Sequence, residues 1–125
     1  MRKPLDPLGE TEMEILNIVW DLGEASVSDV RERILEYREV AYTTVMTIMK
    51  NLSDKKYLKY RKEGLSYIYS AAVKPDQVRY SLIDRLVDKV FKGSPTELVQ
   101  TLVKNENLSE EERREIKKMI DKLED

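Results

Sequence analysis

Between Tyr42 and Ser70 the apolar residues change their period, and no single element can follow both halves. Val45, Ile48, Met49 and Leu52 recur at i, i+3, i+4, i+7. That spacing predicts a helix over roughly Tyr42–Lys55 with one stripe turned to a core. Beyond Tyr57 the chain runs Leu58-Lys59-Tyr60-Arg61-Lys62, then Glu63-Gly64, then Leu65-Ser66-Tyr67-Ile68-Tyr69-Ser70. This reads as strand, turn, strand. Tyrosine and isoleucine suit a pleated surface, and Gly64 supplies the positive φ of a tight hairpin.

Two helices are expected upstream. Over Gly9–Leu22, Met13, Leu16, Val19 and Trp20 form a wide apolar stripe that Gly23 closes. Ser26 or Ser28 can cap a second helix on which Val27, Val30, Ile34 and Tyr37 recur at helical spacing. Met1–Pro7, with two prolines, is expected to be a loose arm. Met13, Leu16, Trp20, Val45, Ile48 and Leu52 are the expected core. Three helices followed by a hairpin is the winged-helix variant of helix-turn-helix, in which the third helix enters the major groove and the wing reaches neighbouring backbone. The fold class is therefore mainly α with a small antiparallel β wing: a winged-helix (helix-turn-helix) DNA-binding domain over 1–73, then a helical dimerisation region over 74–125.

Charge supports that reading. Ala41–Ser70 holds six basic residues against Asp54 and Glu63, on a chain whose net charge is −2. A positive block on an acidic protein suits a polyanion. Opposite the apolar stripe, the third helix presents Thr43, Thr47, Lys50 and Asp54, flanked by Thr44, Met46 and Asn51. Threonine is a poor helix former, so an outer face rich in it needs a reason other than propensity. The candidate DNA contacts are Tyr42, Thr43, Thr44, Met46, Thr47, Lys50, Asn51 and Lys55 on the helix, with Lys59, Arg61, Lys62 and Tyr67 on the hairpin.

After the hairpin the chain reads as helix throughout. Pro75 starts one helix, running to about Lys92, with Leu82, Leu86 and Val90 on one seam and Ile83, Val87 and Phe91 beside it. Ser94-Pro95-Thr96-Glu97 and Ser109-Glu110-Glu111-Glu112 are capping boxes opening two more. The first carries Leu98, Val99, Leu102 and Val103. The second carries Ile116, Met119, Ile120 and Leu123. Packing onto the first domain could bury some of this surface, but a second copy is the expected cover, through Leu82, Leu86, Val90, Phe91, Leu98, Leu102, Ile116, Met119, Ile120 and Leu123. Two half-sites read together would mirror a palindromic operator.

Several classes are excluded. The chain has no cysteine and no histidine, which removes disulfides, thiolate and imidazole metal sites and the usual general base. No Gly-rich phosphate loop or serine-nucleophile motif appears. No enzyme activity, cofactor or metal is expected. Apolar runs are too short to cross a bilayer and the N-terminus lacks a signal-peptide core, so a cytoplasmic protein without membrane insertion is expected. The alternative to a DNA-binding role is a winged-helix docking module that meets protein without specific DNA binding.

Leu8-Gly9 with Glu12, Ile15, Leu16, Val19 and Trp20 resembles the first-helix signature of the BlaI/MecI/CopY family of winged-helix repressors. Thr44-Val45, Thr47 and Leu52 resemble its recognition helix, and Gly64, Tyr67 and Tyr69 its wing. The likeness continues through Val90-Phe91-Lys92-Gly93, Leu98-Val99 and Leu108-Ser109. It implies a repressor, a homodimer on inverted-repeat operator DNA, controlling antibiotic-resistance or cell-envelope genes. It also implies Thr44 and Thr47 near bases, with Lys50 and the wing cations on phosphates. Asn51 stands where many relatives have arginine, and Met46 where the antibiotic-resistance branch has arginine. The copper-responsive branch uses a cysteine-rich motif that is absent here. The β-lactam branch is inactivated when a signalling protease cuts an Asn–Phe bond. The matching bond is Thr101–Leu102, which reads either as a target of a membrane sensor protease or as an ordinary pair in an amphipathic helix.

Overall fold

The first helix begins on a glycine that offers no side-chain oxygen. Glu12 compensates by accepting the Gly9 N–H at 2.8 Å. This helix, α1 (Glu10–Leu22), ends at Gly23, whose φ of 81° lets its N–H reach the Val19 carbonyl at 2.8 Å. In this computed structural model, which describes residues 5–123, there follow β1 (Glu24–Ala25), α2 (Val27–Leu35) and α3 (Tyr42–Asp54). The hairpin is β2 (Leu58–Glu63) and β3 (Ser66–Ala71), and three helices close the chain: α4 (Pro75–Val90), α5 (Pro95–Val103) and α6 (Glu110–Asp121). The caps follow the sequence. Ser26, rather than Ser28, starts α2: its hydroxyl accepts the Asp29 N–H at 3.1 Å and Asp29 accepts the Ser26 N–H at 3.0 Å. Ser109 and Glu112 make the same reciprocal pair at the start of α6, at 3.0 and 2.9 Å. Ser94 accepts the Glu97 N–H at the start of α5 at 3.2 Å, with Pro95 at the first helical position.

The chain divides into two compact units, one through Ser81 and one from Leu82. The first has a single apolar core. Ile15, Leu16, Val19, Val30, Ile34, Val45, Met49 and Leu52 have no accessible surface, and Tyr57, Leu58, Tyr69 and Val78 join them. Apart from the hydroxyls of Tyr57 and Tyr69, this core holds no polar or charged side chain among the described residues, and the Tyr57 hydroxyl is satisfied by the Asp6 carbonyl. Leu16, Val45 and Leu52 sit at the centre as expected. Met13, Trp20 and Ile48 pack against its edge half-buried, and Trp20 uses that position to donate Nε1–H to the Val73 carbonyl at 3.1 Å. An indole at the edge satisfies its donor without burying a carbonyl alone.

Four expectations are corrected. The sheet has three strands, in the order β1-β3-β2, because Glu24 and Ala25 pair with Ser70 and Tyr69 of β3. Two residues cannot display a period, so β1 left no pattern to read. Tyr37 is not on the apolar stripe of α2. The helix ends at Leu35, and Tyr37 is exposed with its hydroxyl donating to Glu14. Helix α4 ends at Val90 rather than Lys92, because Lys92 and Gly93 take positive φ and the Gly93 N–H turns back to the Val87 carbonyl at 2.9 Å. Of the arm expected over Met1–Pro7, residues 1–4 lie outside the described residues. The remainder is docked: Leu5 packs on the core, as does Leu8 just beyond the arm, Tyr57 Oη donates to the Asp6 carbonyl, and Lys55 Nζ donates to the Pro7 carbonyl at 3.0 Å.

The unit from Leu82 hides little apolar surface. Among its described residues Val87 alone is buried, and α5 and α6 bury none. Among the described residues no helix is long and apolar enough to cross a membrane.

Candidate nucleic-acid interface

The inner stripe of α3 fixes its outer face. With Val45, Met49 and Leu52 held in the core, Tyr42, Thr43, Thr44, Met46, Thr47, Lys50 and Asn51 are all left exposed. Across from them stands the wing. Its two-residue turn is Gly64-Leu65, between the paired Glu63 and Ser66, with Gly64 at φ 64°. Positive φ at the first central residue alone is the pattern of a type II′ turn, which matches strand twist. Leu65, expected to open the second strand, is therefore turn. Alternation puts Tyr60 and Lys62 on one face of β2 and Lys59, Arg61 and Glu63 on the other.

Tyr60 anchors the inner face of the wing. Its ring lies 5.1 Å from that of Tyr67 at 81°, edge to face, and 5.7 Å from that of Tyr69. Between this aromatic wall and α3 runs a groove of about 700 Å³. Tyr42, Met46, Thr47, Lys50 and Asn51 line one side, Tyr60, Leu65 and Tyr67 the other, and Ser26 and Ser28 at the start of α2 close one end. Tyr60 and Leu65 escaped the sequence reading. Only the strand register puts Tyr60 with Tyr67, and only the turn type lifts Leu65 to the tip.

The basic residues separate into two kinds. Among the described residues no ion pair engages Lys50, Lys59 or Lys62, all of them exposed. Lys55 instead folds back onto α1, where Nζ donates to Glu12 Oε1 at 2.8 Å as well as to the Pro7 carbonyl. Burial works to raise the Glu12 pKa, but the Gly9 N–H and Lys55 outweigh it and hold the carboxyl below its usual value. Arg61 is held twice: Nη1 donates to Glu24 of β1, while Nε and Nη2 clasp Glu63 at 3.2 and 3.0 Å. The hydrogen bond from Arg61 lowers the Glu24 pKa, and the two carboxylates raise that of Arg61. The Arg61 pairs are open to water, so they add little stability. Their consequence, like that of the half-buried Lys55–Glu12 pair, is electrostatic, because Arg61 on the wing and Lys55 at the end of α3 both meet the protein's own carboxylates. Among the described residues no cluster of acidic side chains is arranged to hold a metal ion.

The other sequence-derived positions lie in the helices after the wing. Leu82, Leu86, Val90, Leu102, Met119, Ile120 and Leu123 are exposed, and Phe91, Leu98 and Ile116 are half-buried. Thr101 and Leu102 are exposed and lie inside α5, so the bond between them is helical.

Comparison with known proteins agrees with this geometry. The chain is 27% identical over 115 residues to the methicillin resistance regulatory protein MecI of Mammaliicoccus sciuri, covering 92% of this chain and 94% of that one. It is 27% identical over 112 residues to the penicillinase repressor of Staphylococcus aureus, covering 90% of this chain and 89% of that protein. The chain also superposes in part on the solution structure of the monomeric form of Bacillus licheniformis BlaI in complex with the blaP half-operator. The TM-score is 0.51 at 19% identity, over 62% of this chain and 93% of that one. That likeness establishes the winged-helix fold. The family model described as penicillinase repressor matches residues 8–122, and the chain belongs to the penicillinase repressor family.

Proposed function

We propose that this chain is a cytoplasmic transcriptional repressor that grips inverted-repeat operator DNA as a homodimer and controls antibiotic-resistance or cell-envelope genes. The observation that carries this reading is the outer face of α3, where Thr43, Thr47, Lys50 and Asn51 stand exposed beside a wing whose Lys59 and Lys62 have no internal partner among the described residues. Hydroxyls and an amide suit base edges, and uncompensated lysines suit phosphates. Family membership and the penicillinase and methicillin-resistance regulators among the relatives support the repressor role and the target genes. A monomeric BlaI on a half-operator supports one winged helix per half-site. The exposed apolar residues after Leu82 support the dimer. Release by a membrane sensor protease at Thr101–Leu102 requires α5 to open first, since a protease binds its substrate extended.

The test is a gel-shift with the gene's own promoter, with and without unrelated competitor DNA. Specific retardation at moderate salt is expected, whereas retardation that competitor abolishes would favour the protein-docking alternative. Lys50→Ala and Lys62→Ala should weaken binding to all sequences alike and flatten the salt dependence by about one unit each. Arg61→Ala should flatten it by less, because Arg61 leaves two carboxylates to reach a phosphate.

A further inference from the structure

We propose that Met46 reads the 5-methyl group of a thymine in the major groove, which makes it a specificity residue of this chain. This rests on α3 being the groove-facing helix. Met46 does not serve the core. Its neighbours Val45 and Met49 fill that side with no accessible surface, while Met46 is 44% exposed. It is also apolar in polar company. Thr43 lies about one turn before it, Thr47 beside it and Lys50 about one turn after, and each of these can donate a hydrogen bond. Met46 has no donor and only a weakly accepting thioether beside its terminal methyl, so it is a poor reader of the polar groups on a base edge. In unmodified DNA the thymine methyl is the only apolar group that a base presents in the major groove.

The surroundings favour that partner. Met46 lines the groove between α3 and the wing, with Tyr42 on its own helix and Tyr67 across from it. These rings add apolar surface beside Met46, against which a methyl group can lose part of its water. A long unbranched side chain of polarisable atoms adapts to a methyl whose position varies with the local twist of the duplex. Thr43 and Thr47 remain free to bond the flanking phosphates or an adjacent base edge.

The experiment removes the methyl from the DNA rather than from the protein. Binding sites are selected by the full chain from random duplexes, and each thymine of one half-site is then replaced by deoxyuracil. Affinities are measured by fluorescence anisotropy for the wild type and for Met46→Ala, with circular dichroism confirming that the exposed substitution leaves the fold intact. At one position uracil should weaken the wild type about fourfold, the worth of one buried methyl. Met46→Ala should lose at least that factor on the thymine duplex and be indifferent to uracil there. Met46→Arg, selected afresh, should prefer guanine at the same position, because guanidinium pairs with guanine O6 and N7. Equal uracil penalties for wild type and Met46→Ala at every position, or no penalty anywhere, would overturn the proposal while leaving the repressor reading in place. A wild type that selects no sequence would remove both.

Discussion

Lys56 ends α3 in the conformation that helices ordinarily reserve for glycine, with φ at 72°. The reason is the pair of bonds it completes: its N–H reaches the Ser53 carbonyl at 3.0 Å, and the Tyr57 N–H reaches Leu52 at 2.9 Å. Leu52 and Tyr57 are both buried, so the apolar contact that accompanies this C-terminal motif is also made. The left-handed backbone costs a lysine about 1 kcal/mol, and glycine avoids that cost while losing more chain entropy. Lys56→Gly should therefore stabilise the protein by about 0.5 kcal/mol and Lys56→Val should destabilise it, since a branched Cβ fits that region worst. Urea midpoints should rank glycine above lysine above valine; a glycine variant below wild type would show that Lys56 makes a contact worth more than its strain. At this scale the sequence revealed which face a residue takes and not whom it meets. The outer face of α3 followed from the spacing of Val45, Met49 and Leu52. That Lys55 spends its charge on Glu12, and Arg61 on Glu24, depends on segments brought together only by folding.

The elements themselves were legible wherever a pattern was long enough to repeat. The capping boxes at Ser94 and Ser109 mark helix starts, and the tyrosine-rich strands marked the hairpin. The connection from α2 to α3 carried no such pattern, and its order comes from side chains that reach across. Glu14 of α1 accepts the Tyr37 hydroxyl and the Arg38 guanidinium, and Arg31 Nε donates to the Val40 carbonyl at 3.0 Å. These bonds fix the turn that aims α3. The hydrogen bond from Arg38 holds the Glu14 carboxyl below its usual 4.5, against a smaller opposing effect of burial, with Tyr37 adding to the lowering. A carboxyl depressed on folding contributes stability that is full above its unfolded pKa and is lost as pH falls through its folded one. Glu14→Gln should cost about 1 kcal/mol at pH 7, charge-assisted bonds being replaced by weaker neutral ones at a site still partly open to water. The gap to wild type should be unchanged at pH 6 and should close as pH falls below about 4.5. Chemical denaturation at pH 7, 6 and 3 measures it; a gap of equal size at pH 3 would mean that Glu14 acts by shape rather than by charge.

For the whole molecule the question is what covers the helices after the wing. Helix α6 has only twelve residues and buries none of them, although Ile116, Met119, Ile120 and Leu123 keep helical spacing along it. A helix of that length is marginal in water by itself, so its stability has to come from packing an apolar face. Met119 is 64% and Leu123 76% exposed, and Leu86, Val90 and Leu102 are exposed on α4 and α5. A second copy covers such faces by symmetry and also strengthens recognition, because two linked half-site contacts bind far more tightly than one. Under this proposal the wild type should sediment as a dimer at micromolar concentration and prefer a full operator to an isolated half-site by about 100-fold or more. Ile120→Asp places a charge on the covering face and should yield a folded monomer. Its half-site affinity should match that of the wild type, while its preference for the full operator should fall below about tenfold. If Ile120→Asp stays dimeric, the interface lies elsewhere. If the wild type is monomeric and still favours the full site 100-fold, the second copy is recruited by DNA alone, and the helices after Leu82 need a different cover.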